Sequence, residues 1–320
     1  MNLFDQKVNA PTQQLSNNLF VEKGVQVFIK REDLIHPNIS GNKWRKLKYN
    51  LLEAEEKGYK TLLTFGGAYS NHIHALAVAG RLLGFKTIGC IRGEENLPLN
   101  HTLSEAEKNG MTFCYLSRLN YREKTSGAVI GQLKAKFGDF YLVPEGGTNE
   151  SAVKGCSEVI EEIGFSPDYI MSAIGTGGTL AGLITGMKNQ GEILGVSSLK
   201  GGDFLEKDIT SLLSTHSGNW KVLVDYHFGG YAKTNIELFS FIRWFQEKHD
   251  ILLDPIYTSK MAFCFYDLLN KDYFKRGSKI VLVHTGGLQG WYGMIQQKKV
   301  SIDYVKEVVE GFLPSSSLTK

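Results

Sequence analysis

The residues of this chain that could do chemistry collect in three glycine-rich stretches. Ser40-Gly-Asn-Lys-Trp-Arg-Lys46 opens a helix and places Lys43, Arg45, Lys46 and then Lys48 close together. Cations are unfavourable at a helix N-terminus, whose dipole is already positive, so a bound anion would relieve them. Lys43 and Lys46 are three apart and share a helix face. An amine held in a dry cleft beside other cations is a nucleophile for carbonyl carbon. A solvated basic helix face fits the same residues, and the stretch alone leaves the protonation of Lys43 open. In Ala173-Ile-Gly-Thr-Gly-Gly-Thr-Leu-Ala-Gly182 a strand runs into a turn and then into a helix. Free N–H groups at Gly175, Thr176, Gly177, Gly178 and Thr179, with the positive end of the helix dipole, favour a phosphate. The stretch is not a Walker A loop, which needs Gly-Lys-Ser/Thr. Nor is it GxGxxG, because Leu180 holds the place of the third glycine. A tight structural turn is the alternative. In Gly66-Gly-Ala-Tyr-Ser-Asn-His-Ile-His74, Ser70-Asn71 cap a helix whose exposed N–H groups make a carboxylate pocket. Ser70 offers a hydroxyl there and Asn71 an amide. His72 and His74 fall on different helix faces with no carboxylate nearby, which speaks against a metal pair.

The elements that must hold these turns are legible as alternating periods. Val25–Ile29 alternates like a strand, and Trp44, Leu47, Leu51 and Leu52 recur at helical spacing before Gly58. Thr61–Phe65 is a strand ending at Gly66-Gly67. Ile73, Leu76, Ala79 and Leu83 form a helix stripe stopped by Gly84. Strands are expected over Lys86–Ile91, Thr112–Leu116, Phe140–Val143, Tyr169–Ala173, Lys221–Asp225 and Lys279–His284. Helices are expected over Tyr121–Phe137, over Glu150–Ile163 and after Gly178. The pattern predicts an α/β fold with two open, twisted, mostly parallel sheets flanked by helices. Ligands in such sheets sit at the carboxyl ends of the strands, where Gly66-Gly67, Gly175–Gly178 and Gly286-Gly287 converge.

The 320 residues allow about two domains, and 42% apolar with 22% charged residues is ordinary for a globular chain. Thirty-six Lys and Arg against 33 Asp and Glu give a net charge of +3, with no basic block, so no nucleic-acid partner is expected. No stretch reads as a membrane span, and Met1 to Leu15 lack the apolar core of a signal peptide. Cys90, Cys114, Cys156 and Cys264 form no CxxC pair and read as reduced, buried thiols of a cytoplasmic protein. The tail Ser315–Lys320 is expected to fray.

Six motifs occur in order: Lys30-Arg-Glu-Asp33, Gly41-Asn-Lys-Trp-Arg-Lys46, Ser70-Asn71, Thr176-Gly-Gly-Thr179, Asp254-Pro-Ile-Tyr257 and His284-Thr-Gly-Gly287. Together they resemble the pyridoxal-phosphate enzymes of the tryptophan-synthase β-like group (fold type II). The nearest branch holds 1-aminocyclopropane-1-carboxylate deaminase and D-cysteine desulfhydrase. The resemblance implies a large cofactor domain over residues 1–46 and 141–320, a small domain over 47–140, an active site in the cleft between them, and a homodimer. It implies pyridoxal 5'-phosphate as cofactor and a small amino acid as substrate. Lys43 then matches the Schiff-base lysine and a base beside the α-carbon. Lys46 and Gly175 to Thr179 match the phosphate contacts, Asn71 the partner of the phenolate oxygen, and Thr285 the hydroxyl against the pyridine nitrogen. Ser70 matches a substrate-carboxylate and catalytic hydroxyl, and Tyr231 and Tyr257 match two active-site tyrosines. His72 and Thr258, beside these positions, are expected to line the substrate site.

A neutral Thr285 cannot stabilise a protonated pyridine as a carboxylate would, which suits direct β-elimination better than transamination. The deaminase pattern carries Glu directly after the Asp-Pro-x-Tyr tyrosine and Leu within His-x-Gly-Gly. Thr258 and Thr285 stand at those places here and look like the desulfhydrase pattern. Opening a cyclopropane that has no α-hydrogen needs acid–base help that Thr258 cannot give. Tyr69 stands where both types usually carry Gln, and His74 where Arg is usual. Other readings of the turns are racemisation or β-replacement on the same fold, and a non-catalytic phosphate or nucleotide binder.

Overall fold

The computed structural model describes residues 3–5, 8, 10–214 and 218–313; the tail at 315–320 lies outside the described residues. The elements run β1 (Thr12–Leu15), α1 (Asn18–Lys23), β2 (Gln26–Lys30), α2 (Asn42–Glu56), β3 (Thr61–Gly66), α3 (Asn71–Leu83), β4 (Lys86–Arg92) and α4 (His101–Lys108). They continue with β5 (Met111–Leu116), α5 (Arg118–Arg122), α6 (Gly127–Phe137), β6 (Tyr141–Val143), α7 (Glu150–Glu161), β7 (Tyr169–Ile174), α8 (Gly178–Met187) and β8 (Glu192–Ser197). The described part ends with α9 (Phe204–Leu212), β9 (Asn219–Leu223), α10 (Ile236–His249), α11 (Thr258–Asn270), β10 (Lys279–Val283), α12 (Gly290–Gln296) and short turns.

The strands form a six-stranded sheet in the order β1-β2-β10-β7-β8-β9 and a four-stranded sheet in the order β5-β4-β3-β6. Every pairing is parallel except that of β1 with β2. Helices cover both faces of each sheet. On β10 the period of two is explicit: Ile280 and Leu282 enter one apolar cluster, Val281 and Val283 the cluster on the other face. Leu62 and Leu63 divide the faces of the smaller sheet in the same way. Sheets buried on both sides read as continuous apolar runs, and all six residues of β7 are buried.

Two expectations shift. The helix expected over Tyr121–Phe137 is broken into α5 and α6, because Ser126 caps a new helix by accepting from Val129 N. The Thr125-Ser126-Gly127 run has poor helix propensity, and a local cap overrides the apolar spacing there. The change of sheet falls after Val143 and not at 140/141, because β6 pairs with Leu62–Thr64 of the smaller sheet. Likewise α2 runs unbroken across residue 46. All four cysteines are buried and free.

Beneath α2 lies an ion cluster. Arg45 donates to Glu32 at 2.9 and 3.0 Å and to Glu162 at 2.6 Å twice, and Lys30 pairs with Glu162 at 3.1 Å. Arg45 and Glu32 are each 1% exposed, so removing the carboxylate charge leaves a guanidinium short of a partner in a dry place. Glu32→Gln is expected to lower stability by about 2 kcal/mol, less than a typical broken buried pair because Glu162 still faces Arg45. Denaturant unfolding checks this, and an unchanged midpoint would remove the cluster from the fold's support.

Candidate active site

Four helices begin at one place, each next to the carboxyl end of a strand or to the turn that follows one. They are α2, α3, α8 and α11. Gly41, just before α2, has φ +64°, and its α-carbon abuts the backbone of Thr285 and Gly286 beyond β10. Asn42 N donates to Thr285 O at 3.2 Å. This contact seats the start of α2, and with it Lys43 and Lys46, against the loop after β10.

Of the four cations at this helix start, two are neutralised. Arg45 has Glu32 and Glu162, and Lys48 has Glu158 at 2.8 Å. Among the described residues, neither Lys43 nor Lys46 has an acidic partner within salt-bridge distance. Lys46 is buried, and its Nζ donates to Gly146 O (3.2 Å), Thr148 Oγ1 (3.0 Å) and Thr176 Oγ1 (3.2 Å). These acceptors are neutral and leave its charge uncancelled; burial lowers its pKa to about 8. Lys43 is half-buried, and its Nζ donates to Asn42 Oδ1 at 2.8 Å. Asn42 Nδ2 in turn donates to Thr179 Oγ1 at 2.9 Å, tying the amine to the start of α8. Burial, and then the charge of Lys46, lower the Lys43 amine to about 7.

The loop that meets Lys46 is a cradle. Gly177, at φ +82°, precedes α8 and gives it no side-chain cap, so the first N–H groups of the helix have no intrahelical or capping acceptor. A Cβ on Gly178 would lie 3.0 Å from Thr148 and 3.3 Å from Lys46 Nζ, and one on Gly175 would lie 3.3 Å from the Tyr257 ring. The opposite wall is a fourth glycine turn, Gly146-Gly147, at φ +66° and +69°. A Cβ on Gly146 would meet Thr176 Oγ1 at 2.8 Å. Unpaired cation, hydroxyls, free N–H groups and a floor without side chains fit a phosphate ester. The strand before Gly146-Gly147 is expected from the sequence, but the part that Gly146 and Thr148 play in the cradle is not, because Thr148 meets Lys46 across 102 residues.

Across the cleft, Ser70 caps α3 and accepts from His72 N and Ile73 N at 3.2 and 3.3 Å. Its own hydrogen stays free to donate. Asn71 Oδ1 accepts from Gln289 Nε2 at 2.6 Å, and the Asn71 amide nitrogen lies 3.1 Å from where a Cβ on Gly287 would sit. His72 is held beneath the turn by Thr64. It is buried, and its Nε2 lies 2.8 Å from Thr64 Oγ1. Thr64 gives its hydrogen to Val143 O at 2.7 Å, so His72 carries its proton on Nε2 and Nδ1 is a bare acceptor without a partner. Burial, with Lys43 and Lys46 nearby, holds the imidazole well below its ordinary pKa and neutral.

Asp254 caps the start of α11: its carboxylate accepts from Ile256 N, Tyr257 N, Thr258 N and Thr258 Oγ1 at 2.7–2.9 Å. Thr258 is fully buried, and its hydroxyl also accepts from Asp254 N at 2.9 Å, which turns it into the loop and away from substrate. Its hydroxyl completes the cap at the head of α11. Tyr257 stays at the cleft beside Gly175, and burial, then Tyr231, push its pKa well up, so it is a neutral phenol. The Tyr231 ring lies 6.1 Å from the Tyr257 ring at 64° and is 43% exposed. Thr285 is buried beside Gly41. The structure thus gathers Lys43, Lys46, Ser70, Asn71, Gly175–Thr179, Tyr257, Tyr231 and Thr285 around one cleft between the two sheets.

Residues 6–286 match the model of the family described as pyridoxal-phosphate dependent enzyme. This chain belongs to that family. It is a lyase of the fold type II class that uses pyridoxal phosphate. It is 33% identical over 297 residues, 88% of this chain and 90% of the other, to a Pyrococcus horikoshii protein named, by inference, 1-aminocyclopropane-1-carboxylate deaminase. It is 29% identical over 301 residues to the mitochondrial bifunctional D-cysteine desulfhydrase/1-aminocyclopropane-1-carboxylate deaminase of Arabidopsis thaliana, covering 86% of this chain and 75% of that one. The crystal structure of an ACC deaminase homologue superposes with a TM-score of 0.75 at 30% identity, covering 91% of this chain and 93% of that one. Among the described residues no helix is long and apolar enough to cross a membrane.

Proposed function

We propose that the protein eliminates a β-substituent from a small amino acid, with D-cysteine as the substrate that best fits: D-cysteine and water give pyruvate, sulfide and ammonia. The observation that carries this reading is the Lys43 amine, unpaired, lowered to about 7 and tethered beside the cradle. Lys43 would hold the cofactor's aldehyde carbon, Lys46 with Gly175–Thr179 its phosphate, Asn71 its phenolate oxygen and Thr285 its pyridine nitrogen. Once bound, pyridoxal phosphate supplies an electron sink for the substrate's α-carbon. Lys43 would also stand beside the substrate's α-carbon as the base for its proton. The Ser70 hydroxyl hydrogen and the Asn71 N–H, which the Ser70 cap does not use, would orient the substrate carboxylate. Tyr257 and Tyr231, neutral phenols whose rings lie 6.1 Å apart, can give a proton to a departing thiolate.

Deamination of 1-aminocyclopropane-1-carboxylate is the second reading, favoured by the names of the similar proteins. Against it stands the head of α11, where Thr258 offers no acid and has its hydroxyl bonded to Asp254. Assaying purified protein with each compound separates the two: pyruvate and sulfide from D-cysteine support the first, whereas 2-oxobutyrate from the cyclopropane alone overturns it. The same reading makes the protein a cytoplasmic homodimer, which sedimentation would check for assembly.

Lys46→Met removes a charged donor from the phosphate cradle and keeps an unbranched apolar stem one atom shorter. The cofactor dissociation constant is expected to rise about 10- to 100-fold, the effect of losing one charge-assisted contact. Equilibrium dialysis of the cofactor reads it, and unchanged binding would displace the phosphate from this cradle.

A further inference from the structure

Lys260 is a fully buried lysine that none of the chemistry above uses. It lies one turn along α11 from Tyr257, on the same helix face. Its Nζ donates to His227 O and Gly230 O, both at 2.9 Å. The same two carbonyls accept from Gly230 N and Lys233 N and so close the two turns that flank Tyr231. That loop is strained: Phe228, Gly229, Gly230 and Ala232 all have positive φ, from 52° to 118°. Phe228 and Ala232 occupy a conformation that L side chains adopt only when their surroundings impose it. Lys260 supplies the polar part of that imposition. The Phe228 ring, 4.9 Å from that of Phe263, supplies an apolar part.

We propose that Lys260 is a positioning residue, a buried tie from the Tyr257 helix that holds the Tyr231 loop so that the two tyrosines meet. Its catalytic consequence rests on the function proposed above; the tie itself does not. A lysine suits the task because one ammonium can reach two carbonyls of a turn at once, and its stem packs along apolar surface.

The test uses the holoenzyme and Lys260→Met, which keeps the stem and removes every donor. Amide hydrogen exchange at residues 229–233 is expected to quicken about tenfold or more, while the visible cofactor absorbance stays as in the parent. Turnover of D-cysteine is expected to fall through kcat. On a Tyr231→Phe background the same change is expected to lower kcat no further, since Lys260 acts through Tyr231. Unchanged exchange in the loop, or an equal further loss on the Tyr231→Phe background, would overturn the proposal. Should Lys260→Met not fold, Lys260→Gln, which keeps an amide donor, takes its place and is judged by the same two readouts. Parent protein that turns over no amino acid would defeat the functional reading and leave the exchange measurement to decide on the tie.

Discussion

Lys43→Ala is expected to abolish turnover, by about 10⁴-fold or more, and to leave no cofactor that borohydride can fix to the chain. The magnitude follows because the proposed function gives one residue two roles, covalent anchor and proton acceptor, and each contributes orders of magnitude. The fold should survive, since among the described residues Lys43 makes a hydrogen bond to its neighbour Asn42 and no salt bridge. A Lys43→Ala protein that still carried a borohydride-fixed label would refute the anchor. The lowered pKa adds a pH signature. The neutral amine is the form that condenses with an aldehyde. With its pKa near 7, about half of Lys43 is neutral at pH 7, against about 0.03% for a lysine at its ordinary 10.5. Cofactor capture by the apoprotein should therefore rise as pH climbs through about 7 and then level off. A rate still climbing steeply towards pH 10 would show an ordinary lysine.

Gly41→Ala is expected to cost about 3–5 kcal/mol and to loosen the site at the same time. Gly41 stands at φ +64°, ψ −141°, a region that residues with a Cβ occupy only under strain. An added Cβ would sit 1.9 Å from Thr285 O and 2.3 Å from Thr285 C, both backbone atoms that cannot swing aside. Strain and overpacking each contribute about 1–3 kcal/mol. The relief available is to part the start of α2 from the loop after β10, and that shift carries Lys43 with it. Thermal unfolding and retention of the cofactor through gel filtration should fall together. A variant with the melting temperature of the parent would show that the contact yields without cost.

Much of the fold could be read in advance where the signal is local. The caps at Ser70 and Gly84 bracket α3 as the sequence predicts, because a capping hydroxyl and a left-handed glycine act within one turn. The parallel strands announce themselves as apolar runs. The break between α5 and α6 was hidden because an apolar spacing persists across it, and only the cap at Ser126 decides the matter. The site divides in the same way. Glycine turns after strands marked the cradle, but nothing in the spacing marked the bond that Thr258 makes. Its neighbour Asp254, four residues earlier, takes the hydroxyl, and a motif names the two residues without showing that they bond each other.

Chemistry written in neighbouring residues, such as an amine among cations, a glycine turn before a helix or a capping serine, needs no third dimension, because helix dipoles and capping act over a few ångströms of contiguous chain. Which of the four cations stays unpaired is a different kind of fact. Glu162 meets Arg45 across 117 residues and Glu158 meets Lys48 across 110. Only the packing of α7 on α2 leaves Lys43 and Lys46 free to receive an anion, and only a separate tertiary contact, of α11 with the loop at 227–230, puts Lys260 under Tyr231. Charge compensation is a property of distance in space, and spacing along the chain does not report it.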